Sequence, residues 1–117
     1  MIVDFLHKKV VITGGCSGIG LATAKLMLES NAVVILMDIN PDGKTITDSL
    51  DAKAHFIKAD VSQRVAVETA FKEVKDRFGG LDVLINNAGI QSYGSVTETS
   101  EEDWDRTIGV NLKGIFL

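Results

Sequence analysis

The stretch VVITGGCSGIGLAT, residues Val10–Thr23, places four glycines between a β-branched run and the predicted start of a helix. A turn of this composition lets the main chain approach a ligand closely, and that ligand is most often a phosphate. The helix that follows offers unpaired N–H groups and a partial positive charge to the anion. A tight turn without a ligand is the alternative, and the position of this turn after a first strand disfavours it.

Four short apolar runs alternate with helical patterns along the chain. The runs are apolar throughout, which is typical of strands that are covered on both faces of a parallel sheet. Strands and helices in this alternation, joined by right-handed crossovers, predict a doubly wound α/β fold of the Rossmann type with strand order 3-2-1-4. Such sheets bind ligands at the carboxyl ends of their strands, where the order reverses. The predicted strands are Val10–Thr13, Ala32–Met37, Ala54–Ala59 and Leu81–Asn86.

Each predicted helix carries a signal at one of its ends. Ser, Asn and Asp accept hydrogen bonds from the N–H groups of a first turn, and Gly suits the position after a last turn. In the first helix, several apolar residues share one side, which we predict to face the sheet. That side carries Ile19, Ala22, Leu26 and Met27; the end signals are Asn40 with Pro41 before Lys44–Leu50, Ser62 before a third helix that stops at Gly79, and Ser100 before a last helix that reaches toward Leu117.

A carboxylate ends the second strand, next to the glycine turn in the predicted order. Asp38 can accept hydrogen bonds from both hydroxyls of an adenosine ribose, and its charge would repel a 2′-phosphate. The following residues, Ile39 and Asn40, are not the lysine or arginine that would attract that phosphate. A solvated aspartate at a strand end is the alternative. The charges favour NAD over NADP.

Polar residues also end the third and fourth strands. Asp60 and Val61 are placed to flank an adenine ring, although Asp60 is equally compatible with a helix-capping role. The segment Asn86–Gly89 (NNAG) ends the fourth strand at the switch point. Its amides can tie neighbouring strand ends together and its small residues leave room for a flat ligand, although a generic turn would have a similar sequence.

Together these residues resemble the motifs of the short-chain dehydrogenase/reductase family. Thr13-Gly14 with Gly18-Ile19-Gly20 is similar to the family's T-G-x-x-x-G-I-G motif, and Asn86-Asn87-Ala88-Gly89 to its N-N-A-G motif. Asp38, Asp60, Val61 and the Asn111 of VNLKG also match the family pattern in position. The resemblance implies that residues 1–117 are a single dinucleotide-binding domain, the first half of a longer family domain.

The resemblance also implies a role for each matching residue. NAD is the implied cofactor, with the glycine turn along its pyrophosphate. Asn111 is the one catalytic residue implied, in a helix that bends locally and holds a water of the proton relay, whereas Asn86 is implied to be structural. The implied cofactor-binding residues are Gly14, Ser17, Gly18, Ile19, Gly20, Asp38, Ile39, Asp60, Val61, Asn87, Ala88 and Gly89.

The implied reaction is hydride transfer between the nicotinamide and an alcohol or ketone substrate. In the family it needs a serine and a Tyr-x-x-x-Lys pair, whose lysine lowers the pKa of the tyrosine. The only tyrosine here is Tyr93, and the residue four positions later is Thr97. We therefore expect these 117 residues to bind the cofactor without turning over a substrate. A non-catalytic nucleotide-binding or interaction module that naturally ends here is the alternative.

Composition narrows the possible partners. The net charge is −4, from 12 basic and 16 acidic residues without a basic cluster, which disfavours nucleic acid and anionic membranes. No apolar run approaches the roughly 20 residues of a membrane span, and the N-terminus lacks a secretory signal pattern. Cys16 is either a reactive thiol or a small packing residue, and a single cysteine fits a reducing compartment. We expect a cytoplasmic protein without a metal; the resemblance adds a homo-oligomer.

Overall fold

Four parallel strands form one sheet in the computed structural model, which describes residues 3–117. The strands are β1 (Lys9–Thr13), β2 (Val33–Asp38), β3 (Ala54–Lys58) and β4 (Val83–Ile85). Their order is β3-β2-β1-β4, so the predicted order 3-2-1-4 is confirmed. In the central strand, Val11 pairs with Ile35 of β2 on one side and with Leu84 of β4 on the other. The carboxyl ends of β1 and β4 therefore meet where the order reverses.

Helices connect these strands in the alternation that the sequence predicts. The first three are α1 (Gly18–Glu29), α2 (Gly43–Asp48) and α3 (Arg64–Phe78). The last helical segment consists of α4 (Glu101–Ile108), a π-helical turn (Gly109–Lys113) and α5 (Gly114–Phe116). Within residues 3–117, no helix combines the length and the hydropathy needed to cross a membrane.

Both faces of the sheet are covered, because successive residues of its inner strands belong to two separate apolar clusters. The first cluster packs α1 on one face and includes Val10, Ile12, Ala24 and Leu28. The second packs α3 on the other face and includes Val11, Ile35, Ala70 and Val74. Helices on both faces of a parallel sheet confirm the doubly wound α/β fold.

The side of α1 that faces the sheet differs from the predicted one. Gly20, Ala24 and Leu28 are buried, whereas Ile19 and Leu26 expose 79% and 64% of their surface. Small residues at the first two buried positions let the helix axis approach the sheet closely. The prediction placed the large apolar residues of α1 against the sheet. The side that is buried instead is the one whose small residues allow the helix to approach the sheet most closely.

Two of the predicted N-caps are wrong. Asn40 accepts a hydrogen bond from the N–H of Asp42 (2.9 Å), and Asp42 is the N-cap of α2. The hydroxyl of Ser62 donates to Oδ1 of Asp60 (2.6 Å), and Gln63 is the N-cap of α3. In both loops a side-chain oxygen closes a local turn that competes with capping, so each helix begins later than its polar signal.

The other two end signals are confirmed. Gly79 follows α3 with a φ of 80°, and the hydroxyl of Ser100 accepts a hydrogen bond from the N–H of Asp103 at the start of α4.

The fourth strand is shorter than predicted, because β4 pairs only with β1 and only over three residues.

A methyl group at Gly20 should destabilise this fold. The added Cβ would overlap the carbonyl oxygen of Gly14 and lie 2.6 Å from Nδ2 of Asn87. We expect Gly20→Ala to lower the free energy of unfolding in urea by about 1–3 kcal/mol, because these atoms are held in place. The matched control, Gly109→Ala, adds a Cβ at an ordinary 3.6 Å from Cβ of Ser62 and should keep the wild-type stability. Equal stability of Gly20→Ala and wild type would contradict the close contact.

The stability should also depend on pH through His55. Its ring lies 4.8 Å from the ring of Phe78, and the guanidinium of Arg77 lies 5.1 Å from the Phe78 ring centre. Burial, followed by the charge of Arg77, lowers the pKa of His55 from its ordinary 6.5. The unfolded chain therefore takes up the proton first as the pH falls. The stability that this histidine contributes is complete above about pH 6.5 and is lost as the pH falls through the folded-state pKa.

Urea denaturation at several pH values measures this effect. We expect the free energy of unfolding to decrease from about pH 7.5 to about pH 5.5 and His55→Gln to flatten that decrease. Parallel pH profiles for the two proteins would show that His55 makes no such contribution.

Candidate functional site

A cleft of about 400 Å³ opens at the carboxyl ends of the four strands. This volume lies in the range of small-molecule and cofactor sites, roughly 300–1,000 Å³. Every residue of the predicted cofactor-binding set except Gly20 lines the cleft. The lining residues that the sequence did not predict are Met37, Ala59, Ile90 and Val110.

The glycine turn between β1 and α1 forms the first wall of the cleft. Gly14 and Gly18 have φ values of 65° and 53°, a conformation that residues with a Cβ rarely adopt. At Gly18 a Cβ would have no atom within 4 Å, so the main chain there borders open space. Ser17 is the N-cap of α1, but its side chain makes no capping hydrogen bond. The first turn of α1 is therefore suited to an anion.

Gly20 does not line the cleft and serves the packing beneath it. An added Cβ would overlap the carbonyl oxygen of Gly14, as described above. The absence of a side chain lets α1 begin close to the strand that precedes it. Gly20 therefore holds the turn in place from behind, whereas Gly14 and Gly18 face the cleft.

Asp38, at the end of β2, is hydrogen-bonded to the glycine turn as well as facing the cleft. Its Oδ2 accepts from the N–H of Cys16 (3.1 Å), and its Oδ1 accepts from the N–H of Asn40 (3.0 Å). The main chain adds a second tie, in which the N–H of Gly14 donates to the carbonyl oxygen of Met37 (2.8 Å). The carboxylate is thus held at the cleft, with Ile39 beside it.

The thiol of Cys16 is a packing group in this structure. Its surface is 3% exposed. Burial, followed by the charge of Asp38 and a hydrogen bond to it, raises the pKa of Cys16 to about 11. The thiol is therefore protonated at neutral pH, which contradicts the alternative of a reactive thiolate.

Asp60 and Val61 line the cleft in the loop that follows β3. Asp60 accepts hydrogen bonds at Oδ1 from the N–H (2.9 Å) and the hydroxyl of Ser62. Because Gln63 is the N-cap of α3, the alternative that Asp60 caps this helix is wrong. Its carboxylate instead shapes the loop that carries Val61.

Asn87 joins the loop after β4 to the glycine turn. Its Nδ2 donates to the carbonyl oxygens of Thr13 and Gly14, each at 3.1 Å. The hydroxyl of Thr13 in turn accepts from the N–H groups of Asn87 and Ala88, each at 3.0 Å. The importance of Thr13 was not predicted, although it precedes the glycines in the sequence. Asn86 lies elsewhere, in the wall of a second cavity beside β4.

Asn111 lies in the π-helical turn and contacts the loop after β4. Its Oδ1 accepts from the N–H of Ile90 (2.8 Å), and its Nδ2 donates to the carbonyl oxygen of Ile90 (2.9 Å). The neighbouring Val110 lines the cleft. Tyr93 lies further along the same loop, 89% exposed, and its hydroxyl donates to Oε1 of Gln91 (2.7 Å).

These features fit a nucleotide cofactor with a pyrophosphate. The turn presents glycine main chain and a helix start to an anion, and the neighbouring β2 presents a carboxylate to hydroxyl groups. Among residues 3–117, the charged residues that line the cleft are Asp38 and Asp60, and no lysine or arginine lines it.

Comparisons with known proteins agree with this geometry. The family model described as short chain dehydrogenase matches residues 8–117. An uncharacterized oxidoreductase of Thermotoga maritima is 44% identical over 119 residues, which cover 98% of this chain and 47% of the relative.

Two solved structures from Brucella melitensis are also similar. A short-chain dehydrogenase/reductase described as glucose/ribitol dehydrogenase has a TM-score of 0.93 and 37% identity, covering 99% of this chain and 50% of its own. A 3-ketoacyl-(acyl-carrier-protein) reductase complexed with NADH has a TM-score of 0.92 and 30% identity, covering 97% of this chain and 48% of its own. The chain thus spans about half the length of the relatives it matches. The folded sheet, the glycine turn at its switch point and these matches show that the chain belongs to the short-chain dehydrogenase/reductase family.

Proposed function

We propose that this chain is the cofactor-binding part of an NAD(H)-dependent oxidoreductase that acts on an alcohol or a ketone. The observation that carries the proposal is the convergence of the glycine turn, Asp38, Asp60–Val61 and Asn87–Gly89 on one cleft. The names of two similar structures, a glucose/ribitol dehydrogenase and a 3-ketoacyl reductase solved with NADH, support this reaction class. NAD(H), when bound, supplies the hydride exchange.

In this proposal the glycine turn holds the pyrophosphate. Gly14 and Gly18 supply main chain in the left-handed region, and Ser17 and Ile19 border the same side of the cleft. The start of α1 adds the partial positive charge of its first turn. No positively charged side chain is required, because N–H groups and the helix start can bind the anion on their own.

The proposal assigns the choice between NAD and NADP to Asp38, beside Ile39. The hydrogen bonds from Cys16 and Asn40 hold its carboxylate in place, so the charge cannot swing away from the cleft without losing both. Hydroxyl groups can donate to this carboxylate, whereas a 2′-phosphate would be repelled by it.

The remaining walls suit the flat parts of a dinucleotide. Asp60 and Val61 would flank the adenine, while Asn87, Ala88 and Gly89 would lie along the nucleoside on the nicotinamide side. The side-chain amide of Asn87 is already bonded to the carbonyls of Thr13 and Gly14. Its proposed contribution is therefore to hold the loop, and small residues give the ligand room.

The wider context of the chain is also a proposal. Residues 1–117 would be one dinucleotide-binding domain and the first half of a longer family domain, with the reacting serine, tyrosine and lysine in the other half. The last helical segment exposes Leu112 and Phe116 by 65% and 78%, which supports a homo-oligomer. A single buried cysteine supports a cytoplasmic location.

A non-catalytic nucleotide-binding module is the second candidate function. It is favoured by one observation, namely that Tyr93 has Thr97 and not lysine four positions later. The intact mass of the protein isolated from its native source separates the two candidates. A product about twice as long as this chain supports the enzyme, and a product of 117 residues supports the module.

Cofactor preference gives a direct test of Asp38. We expect the chain to bind NADH more tightly than NADPH in a fluorescence titration. Asp38→Ala should weaken the binding of NADH by roughly 1.5–3 kcal/mol, because charge-assisted hydrogen bonds are lost. It should weaken the binding of NADPH by less. Asp38→Asn keeps an acceptor for the N–H of Cys16. This variant therefore tests the effect of the charge on cofactor binding while the hydrogen bond to the glycine turn is kept.

The matched control for this test is Asp105→Ala, which removes an exposed carboxylate from α4, outside the cleft. This variant should keep the preference for NADH. Tighter binding of NADPH than of NADH by the wild-type chain would contradict the role proposed for Asp38.

Turnover gives a separate test. With NAD and a panel of sugars, polyols and secondary alcohols, we expect the 117-residue chain to form no NADH above the rate without protein. The expected reason is that general acid–base catalysis requires a positioned proton donor at the substrate oxygen. Absorbance at the NADH band measures this rate. Formation of NADH by the chain would show that its own residues complete an active site.

A further inference from the structure

The last helical segment contacts loops on two sides of the cleft. On one side, Asn111 binds the main chain of Ile90 through both atoms of its amide group. On the other side, the main chain of the helix lies directly against the loop after β3. An added Cβ at Gly114 would lie 3.0 Å from Cγ2 and 3.2 Å from the carbonyl oxygen of Val61. The helix therefore lies against the same loop that carries Val61 into the cleft.

The π-helical turn explains how one segment reaches this loop at two points. Gly109 and Gly114 are five residues apart, and a Cβ on Gly109 would lie 3.6 Å from Cβ of Ser62. In an α-helix, residues five apart point in directions that differ by roughly 140°. A π-helix bonds residue i to residue i+5, which brings the two positions onto the same side. Gly109 and Gly114 can therefore both face the Val61–Ser62 loop.

We propose that Gly114 is a positioning residue for the cofactor, because it sets the place of Val61 in the cleft. The proposal rests on the function proposed above, in which Val61 flanks the adenine. Gly114 has a φ of −58°, which any residue adopts, so glycine is not required there by its own backbone conformation. The closeness of Val61 favours glycine instead, since an added Cβ would lie nearer to it than ordinary van der Waals contact allows. The π-helical turn is the local geometry that brings Gly114 to this contact.

A methyl group at this position is a clean steric probe of the proposal. It would meet Val61 at distances shorter than ordinary van der Waals contact, and one of the two atoms belongs to the main chain. The loop of Val61 must then move by a few tenths of an ångström. Because overpacking of this kind disturbs fitted surfaces, the adenine side of the cleft should lose affinity while the nicotinamide side keeps it.

The experiment measures the binding of AMP, nicotinamide mononucleotide and NADH to the 117-residue chain at a temperature where each variant is folded by circular dichroism. Gly114→Ala should lower the affinities for AMP and for NADH by the same factor, about five- to tenfold. It should leave the affinity for nicotinamide mononucleotide within about twofold of the wild-type value. The matched control Gly109→Ala, whose Cβ has room, should leave all three ligands within about twofold. Unchanged AMP affinity in Gly114→Ala would overturn the proposal, as would an equal loss for both mononucleotides.

A double-mutant cycle locates the effect at Val61. Val61→Ala removes Cγ2. In this background, Gly114→Ala should lower the affinity for AMP by less than about twofold, because the closest side-chain contact is gone. A loss of the original size in that background would overturn the assignment to the Cγ2 contact, because only the carbonyl oxygen of Val61 would then remain close to the added methyl group.

A measurement without a ligand separates this proposal from the proposed function. Methyl and amide NMR signals of Val61 should shift clearly more in Gly114→Ala than in Gly109→Ala, whose added methyl group lies at ordinary contact distance from the neighbouring Ser62. If the wild-type chain binds neither NADH nor AMP, the proposed function fails, and the Val61 signals still decide whether Gly114 positions this loop. Unshifted Val61 signals in Gly114→Ala would overturn the positioning role.

Discussion

The junction between Thr13 and Asn87 is the contact on which the rest of the site depends. Thr13 ends β1 and Asn87 lies just after β4. Two hydrogen bonds of 3.0–3.1 Å join the Thr13 hydroxyl and carbonyl to the main-chain and side-chain N–H groups of Asn87, and the N–H of Ala88 donates a third to the hydroxyl (3.0 Å). The amide of Asn87 also donates to the carbonyl of Gly14, and Gly20 approaches both of these groups closely. The path of the glycine turn is thus determined by partners more than 70 residues away in sequence. A parallel sheet makes this possible because it brings the carboxyl ends of its strands to one edge.

Asp38 extends the same constraint to the second strand. Its carboxylate accepts the N–H of Cys16 inside the turn, so the group that is proposed to choose the cofactor also holds the loop that is proposed to bind it. The same arrangement keeps the thiol of Cys16 neutral, because burial and the neighbouring charge raise its pKa. A single carboxylate therefore couples the shape of the turn to the electrostatics of the cleft. Removing the charge and removing the hydrogen bond are separable only with an isosteric amide.

The sequence predicts the fold class, the strand order and eleven of the fifteen residues that line the cleft, since these follow from apolar runs and from where strands end. It does not predict features that depend on contacts between distant residues. The predicted buried side of α1 is wrong because the small residues Gly20 and Ala24 let the helix pack closely on the sheet, while the larger Ile19 lines the cleft. The starts of α2 and α3 were misjudged because Asn40 and Asp60 close local turns instead. The role of Thr13 follows from pairing between strands, and the closeness of Gly114 to Val61 follows from a π-helical turn; local sequence patterns specify neither.

The cleft is built mainly from main chain and small side chains, and this has a consequence for what it can do. Its two charged lining residues, Asp38 and Asp60, each accept hydrogen bonds from neighbouring main-chain N–H groups. The thiol of Cys16 is buried and protonated, and the hydroxyl of Tyr93 is exposed and donates to a neighbouring side chain. In the proposed function, the described residues would supply the shape, the N–H groups and the one carboxylate that bind the dinucleotide. Moving a proton at a substrate oxygen needs in addition a donor aimed into the cleft, so the proposed binding of the cofactor and the proposed reaction make different demands on the residues.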